Sequence, residues 1–303
     1  MRRTLPALLV LGAVVLAACG DDDDDDTAAA TTAPAAAATT APATVPAEAG
    51  GSAADCAAGK TIEPDVLTIA TGDPAFPPYV INDATPEDGQ GFEAAVAMAV
   101  AREMGFEGDS VTWVRTAFDA ATAPGPKDFD FNLQQFGITP ERAEAVDFSQ
   151  GYYTAPQAIF GLADSPAANA TSIADLKGLK IGVAAGTTSV TYVEETIQPD
   201  SEPLIFNDNA AAKQALESNQ IDAVVADLPT AIFITTVEIE GTKVFGQIEG
   251  SGTEQWGLLL SKDSPLTECV DVALQTLKDS GELDQITTTW MSDFAEAPVI
   301  SAS

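Results

Sequence analysis

The 303-residue sequence contains no histidine, and its 13 lysines and arginines stand against 46 aspartates and glutamates. The first absence removes Ser-His-Asp and Cys-His catalysis, histidine-ligated zinc and histidine pH switching. The shortage of bases argues against a nucleic-acid surface, which needs clustered Lys and Arg against phosphates. The formal net charge is −33, and residues 56–303 alone hold 38 acids and 11 bases, a net −27. Such a surface repels its own kind and keeps the chain in solution. Calcium is the sharper reading of so many carboxylates, but no D-x-D-x-D-G loop occurs. Neither a metal nor a cofactor is expected. No apolar run reaches the ~20 residues of a bilayer span.

What is present begins with an address. Met1-Arg2-Arg3 is basic, and Leu5 to Ala18 is an apolar run of fourteen residues, the pattern of a signal peptide over residues 1–18. It ends in Leu16-Ala17-Ala18-Cys19-Gly20, which resembles the bacterial lipobox; the resemblance implies that Cys19 is acylated and becomes the mature N-terminus. An ordinary cleavable signal with a stray cysteine is the alternative. An acyl anchor would hold the protein on the outer face of the cell membrane. Six aspartates at 21–26 precede Ala, Thr and Pro up to about Ala54. Without aromatic residues or apolar periodicity this stretch builds no core and reads as a disordered tether over 19–55. The folded body is then 56–303, outside the cytoplasm.

That body holds two cysteines, Cys56 and Cys269. Export favours a disulfide between them, while the position of Cys269 on an apolar helical stripe also suits a buried thiol.

Short β-rich runs alternate with helical ones. Strands are predicted at 66–70, 111–114, 179–184, 223–226 and 256–260, and helices at 92–104 and 210–218. Leu266, Cys269, Val270, Ala273, Leu274 and Leu277 mark a further helix. A last helical segment carries Leu283, Ile286 and Trp290. This alternation predicts an α/β fold with parallel sheets, in which ligands sit beyond the carboxyl ends of the strands.

Three places there have ligand chemistry. In Gly137-Ile138-Thr139-Pro140-Glu141-Arg142, Thr139 suits an N-cap and Pro140 the first helical position. Arg142 then falls in the first turn, where a cation opposes the helix dipole. It either faces an anion as a bidentate fork or pairs on the surface with Glu141 or Glu144. Gly186-Thr187-Thr188 follows a strand and forms an anion nest or an ordinary cap. Asp227 closes Ala223-Val224-Val225-Ala226 and either caps a helix or receives a cation. Arginine, nests and carboxylate together suit a zwitterion.

These pieces recur in order. Ala70-Thr71-Gly72-Asp73-Pro74-Ala75-Phe76-Pro77-Pro78-Tyr79 is followed by Gly91-Phe92-Glu93, Ile138-Thr139-Pro140-Glu141-Arg142-Ala143 and Val146-Asp147-Phe148-Ser149. Tyr152-Tyr153, Leu176-Lys177-Gly178-Leu179-Lys180-Ile181-Gly182-Val183, Gly186-Thr187-Thr188, Ile221-Asp222-Ala223-Val224-Val225-Ala226-Asp227 and Gly257-Leu258 complete the set. The chain resembles the amino-acid-binding (family 3) solute-binding proteins of bacterial ABC transporters over about Val66 to Met291. The resemblance implies a type II two-lobed periplasmic-binding-protein-like fold, each lobe a parallel-rich sheet flanked by helices, joined by two crossover strands. Lobe 1 would be 56–154 plus 253–303, and lobe 2 would be 155–252. A Cys56–Cys269 bridge would then lie within one lobe.

The resemblance also implies a site. Arg142 corresponds to the carboxylate-binding arginine, Gly186, Thr187 and Thr188 to the nest, and Asp227 to the ammonium-binding aspartate. Phe76 corresponds to the aromatic that stacks on the ligand side chain, with Phe118 as the facing wall. Asp73 corresponds to a position that can touch the ligand's side chain or its ammonium. Gly137 and Gln135 depart from the family pattern on this wall: the hydroxyl usual just before Ile138 is missing, although its backbone N–H remains. The implied role is high-affinity capture of an amino acid or similar zwitterion and its delivery, by a monomer, to a membrane permease. The rivals are a dehydratase-like enzyme on the same fold, with Asp73 or Glu93 as its acid or base, and a ligand-sensing module for a receptor.

Overall fold

A computed structural model describes residues 51–252, 254–294 and 296–302. The predicted signal peptide, Cys19 and all of the tether before Gly51 lie outside these described residues.

Where both faces of a strand are covered, its sequence is continuously apolar, and β1 (Leu67–Gly72) is buried at every position. It pairs in parallel with β2 (Val111–Thr116) and β3 (Phe131–Asn132). Antiparallel β12 (Leu259–Ser261) joins β3 to β4 (Val146–Phe148), giving the order β2-β1-β3-β12-β4. The helices Phe92–Glu103 and Thr267–Asp279 pack on this sheet through their apolar faces, with Phe92, Val96, Val100, Val270, Leu274 and Leu277 fully buried.

The second sheet contains β6 (Gln157–Leu162), β7 (Ile181–Ala184), β8 (Leu204–Phe206), β9 (Ala223–Asp227), β10 (Thr242–Ile248) and β13 (Val299–Ile300), in the order β13-β10-β6-β9-β7-β8. Side chains alternate across it as the pleat requires. Ile159, Ala223 and Val225 enter one core, and Ala158, Phe160, Val224 and Ala226 enter the other. The two sheets are connected by a two-stranded ribbon, β5 (Tyr153–Thr154) against β11 (Gln255–Trp256).

The single strand predicted at 256–260 is therefore two. Its first residues belong to the connecting ribbon and its last to the first sheet. The tail also differs from the expected division of the chain. Residues 253–303 were assigned to lobe 1, yet β13 pairs in parallel with β10 of the second sheet. Val299-Ile300 is too short for periodicity to report its partner, and Ile300 finds an apolar edge across the molecule.

Cys56 and Cys269 form a disulfide with 5.3 Å between their α-carbons. It ties the short helix Ala53–Ala57 to the helix Thr267–Asp279 on the first sheet. Among the described residues, no helix is long and apolar enough to cross a membrane.

Candidate functional site

Two adjoining concavities open between the sheets. One is lined by Phe118, Gln134, Gln135, Arg142, Gln157, Thr187, Thr188, Ser189, Asn209, Asp227, Thr230, Glu254 and Trp256. The other shares Phe118, Gln134, Gln135, Thr187 and Asn209 and continues to Asp73, Phe76, Tyr79, Glu93, Asp119 and Asp208. A cavity volume of about 320 Å³ in this second chamber lies within the range of small-molecule sites.

Arg142 is positioned as its local sequence dictates. Pro140 opens the helix Pro140–Ala145, and the Thr139 hydroxyl accepts the Arg142 backbone N–H at 3.2 Å. The guanidinium turns inward. Nη1 donates to the Gly137 carbonyl and Nη2 to the Gly186 carbonyl, each at 2.7 Å. Its carbon lies 5.3 Å from the centroid of Phe118, which stacks on Phe136 at 5.0 Å. Burial lowers the arginine's pKa, and nearby Glu254 raises it. Neither Glu141 nor Glu144 forms an ion pair with it. Two of its five guanidinium N–H groups are used on these carbonyls.

Gly186 has φ +69°, the left-handed region, and an ideal Cβ there would stand 2.9 Å from Asp119 Oδ1. Glycine is what allows its carbonyl to reach across to Arg142. The following Thr187 is the N-cap of the helix Thr188–Tyr192, although its hydroxyl donates to the Ala184 carbonyl at 2.8 Å.

Asp227 sits at the cleft end of its strand. It caps the helix Leu228–Phe233 by accepting the Thr230 N–H at 3.0 Å, and it lines the first concavity. Tyr79, from the other sheet's side, donates to Asp227 Oδ1 at 2.9 Å. Burial raises the Asp227 pKa, and the Thr230 and Tyr79 hydrogen bonds pull it back down.

Phe76 is 45% exposed on the rim of the second chamber, while Phe118 belongs to both chambers. Asp73 is exposed on the same rim. Gln135 adopts φ +51°, a conformation uncommon for a side chain larger than glycine. This turns its N–H onto Glu93 Oε1 at 2.7 Å, and its side-chain amide donates to Glu93 Oε2.

Glu93 itself is 2% exposed and also accepts the Tyr152 hydroxyl. Burial pushes its pKa up to about 7, against the lowering effect of Tyr152 and Gln135. An acid whose folded pKa exceeds its unfolded value makes the fold bind more protons, so stability falls as pH rises through that window. Between pH 4.5 and about 7 the loss from this group amounts to roughly 3 kcal/mol. Urea melts of wild type and Glu93→Gln over that range should show the variant losing less stability with pH. Parallel pH profiles would remove Glu93 as the source.

Sequence reasoning did not single out Gln134, Gln157, Ser189, Asn209 or Glu254 as cavity residues. Ser189 donates to Gln157 Oε1 at 2.7 Å. Glu254 has a carboxyl raised by burial, lowered by a Thr188 hydrogen bond and by Arg142, and raised by Asp227. It belongs to no motif, and its place follows from the pairing of Gly137 with Trp256. The chambers thus bring one base, Arg142, together with Asp73, Glu93, Asp119, Asp208, Asp227 and Glu254.

Two sheets joined by a crossover ribbon, with a polar cleft between them, define a two-lobed solute-binding protein. Residues 67–293 match the bacterial extracellular solute-binding proteins, family 3, and the chain belongs to that family. It is 30% identical over 234 residues to the L-arginine-binding protein of Pseudomonas aeruginosa, covering 72% of this chain and 85% of that one. An ancestral arginine-binding protein solved with arginine is 29% identical with a TM-score of 0.60, covering 75% and 98% of the two chains. The ancestral amino acid-binding protein AncCDT-1, described as a precursor of cyclohexadienyl dehydratase, is 29% identical with a TM-score of 0.61, covering 79% and 99%.

Proposed function

We propose that the chain captures an L-amino acid with a cationic side chain outside the cell and delivers it to an ABC transporter permease. Acylated Cys19 would hold it on the outer face of the membrane, where it works as a monomer. One observation carries the substrate class: a single inward-facing guanidinium ends a cleft whose other charged groups are all acids. The α-carboxylate would meet Arg142 with Thr187 and Thr188, and the α-ammonium would meet Asp227. The side chain would pass Phe118 and Phe76 toward Asp73 and Asp119, where carboxylates favour a cation. The names of the arginine-binding relatives agree with this reading. Tyr79–Asp227 and Arg142–Gly186 already link the two halves across the cleft. A guest that touches both halves favours the closed form through its differential affinity.

Binding without turnover is the better reading of Glu93 as well. Both its oxygens are engaged by Tyr152 and Gln135, so the carboxyl is committed to the scaffold rather than presented to a guest.

A thermal-shift screen over the twenty amino acids, polyamines and osmolytes tests the proposal. A ligand at 100 times its dissociation constant adds ~2.7 kcal/mol, a rise of roughly 5–10 °C for a body of this size. L-arginine or L-lysine should give the largest shift and be recovered unchanged by NMR. A larger shift from L-glutamate or L-leucine would overturn the substrate class, and conversion of the bound compound would overturn binding without chemistry.

A further inference from the structure

The seat that Arg142 offers to a carboxylate already has a carboxylate beside it. Backbone pairing fixes this neighbour: Gly137 bridges Trp256, Ile138 N–H donates to the Gln255 carbonyl at 2.8 Å, and Gly257 N–H donates to the Phe136 carbonyl at 3.0 Å. These bonds place Trp256 opposite Gly137, and Glu254, two residues earlier on the same face, lays its side chain diagonally across Gly137. The space where a Gly137 side chain would begin is filled by it. An ideal Cβ at Gly137 would stand 2.7 Å from Glu254 Cδ and would overlap Oε1. The same carboxylate lies within the field of Arg142, though the two form no direct ion pair. It lines the chamber with Arg142, Thr187, Thr188 and Ser189.

We infer that Glu254 is a specificity-determining residue: it fills the space beside Gly137 in the chamber that Arg142 enters, so a ligand's own α-carboxylate drawn to Arg142 must displace it, whereas a guest lacking that carboxylate need not. Gly137 is the partner that makes room for it, since any side chain at 137 contests the same volume. Glu254 therefore lowers the advantage of an α-amino acid over the corresponding amine. Two carboxylates cannot crowd beside one guanidinium without repulsion or protonation, and an amine guest keeps Glu254 as a counter-ion instead. The inference rests on the proposed reading of Arg142 as the carboxylate partner.

Calorimetry with L-arginine and with agmatine, which differ only by the α-carboxylate, reads the effect directly. Wild type, Glu254→Ala, Glu254→Gln and Gly137→Ala are compared. The ratio of the agmatine to the arginine dissociation constant should rise at least about tenfold in Glu254→Ala, the factor that corresponds to ~1.4 kcal/mol. It should also rise in Gly137→Ala, where the added methyl evicts the carboxylate without removing it. Glu254→Gln, of nearly the same shape, guards against a folding defect and should raise the ratio by a smaller factor.

A second measurement needs no amino acid. Sodium acetate, compared with sodium chloride at equal ionic strength, should raise the melting temperature of ligand-free Glu254→Ala but not of wild type. Acetate would then refill the emptied seat. An unchanged ratio, or equal acetate effects on both proteins, would overturn the role of Glu254. If acetate stabilises only the variant while no amino acid binds either protein, the seat stands and the proposed function falls.

Discussion

Arg142→Ala should weaken L-arginine binding by roughly thirtyfold or more, a loss of 2–5 kcal/mol. The guanidinium is partly buried, already desolvated and held by two carbonyls at 2.7 Å, so its remaining donors are aimed before the guest arrives. A guest carboxylate left without them is desolvated and unpaired. Arg142→Lys should lose less, because it keeps the charge and forfeits the planar fork. Calorimetry on the three proteins, with a ligand-free melt of each as a check on folding, decides the matter. A loss below about threefold, under ~1 kcal/mol, would mean that the guest's acidic end lies elsewhere.

Stability should respond most to the disulfide. Cys56 and Cys269 are separated by 213 residues, and the chain-entropy model gives about 5 kcal/mol for closing a loop of that length. Replacing both with alanine should shift the denaturant midpoint by 2–5 kcal/mol of stability, the range seen on removing native bridges. Both cysteines sit on helices of the first sheet, away from the cleft residues, so L-arginine affinity should change by less than about twofold, ~0.4 kcal/mol. A stability change under ~1 kcal/mol, or two free thiols in the unfolded and unreduced protein, would remove the bridge from the account. A large loss of affinity would instead show that the bridge acts on the cleft.

How much of this was legible in the chain depends on how each feature is written there. The helix Thr267–Asp279 was plain because Cys269, Val270, Ala273, Leu274 and Leu277 repeat at helical spacing, and all five are buried. Strands β1, β7 and β9 were plain because both of their faces are covered, which makes the sequence continuously apolar. Thr139-Pro140 announced the helix that carries Arg142, and Gly186 and Asp227 announced themselves through cap and nest chemistry. Strands β10 and β13 were not legible. Thr242–Ile248 alternates imperfectly in burial, and two residues cannot carry a period.

Glu254 was hidden for a different reason. Nothing in Ser251-Gly252-Thr253-Glu254-Gln255 distinguishes its carboxylate from the many that only face water. Its meaning comes from Gly137, more than a hundred residues away, which offers no side chain and so leaves a space that another residue can enter. Tyr79 and Gln157 were overlooked on similar grounds: an aromatic beside two prolines, and a glutamine opening a strand.

The sequence by itself determined the class of fold, the acidic character of the body and the local cradles of Arg142, Thr187, Thr188 and Asp227. Each of these is set by residues a few positions apart or by composition. The tertiary structure alone decided which cradles face one another, that Tyr79 bridges to Asp227, that the tail returns to the second sheet, and that Glu254 fills the space beside Gly137. Those outcomes depend on backbone pairing between distant segments, and no short-range period or cap records where a partner strand will lie.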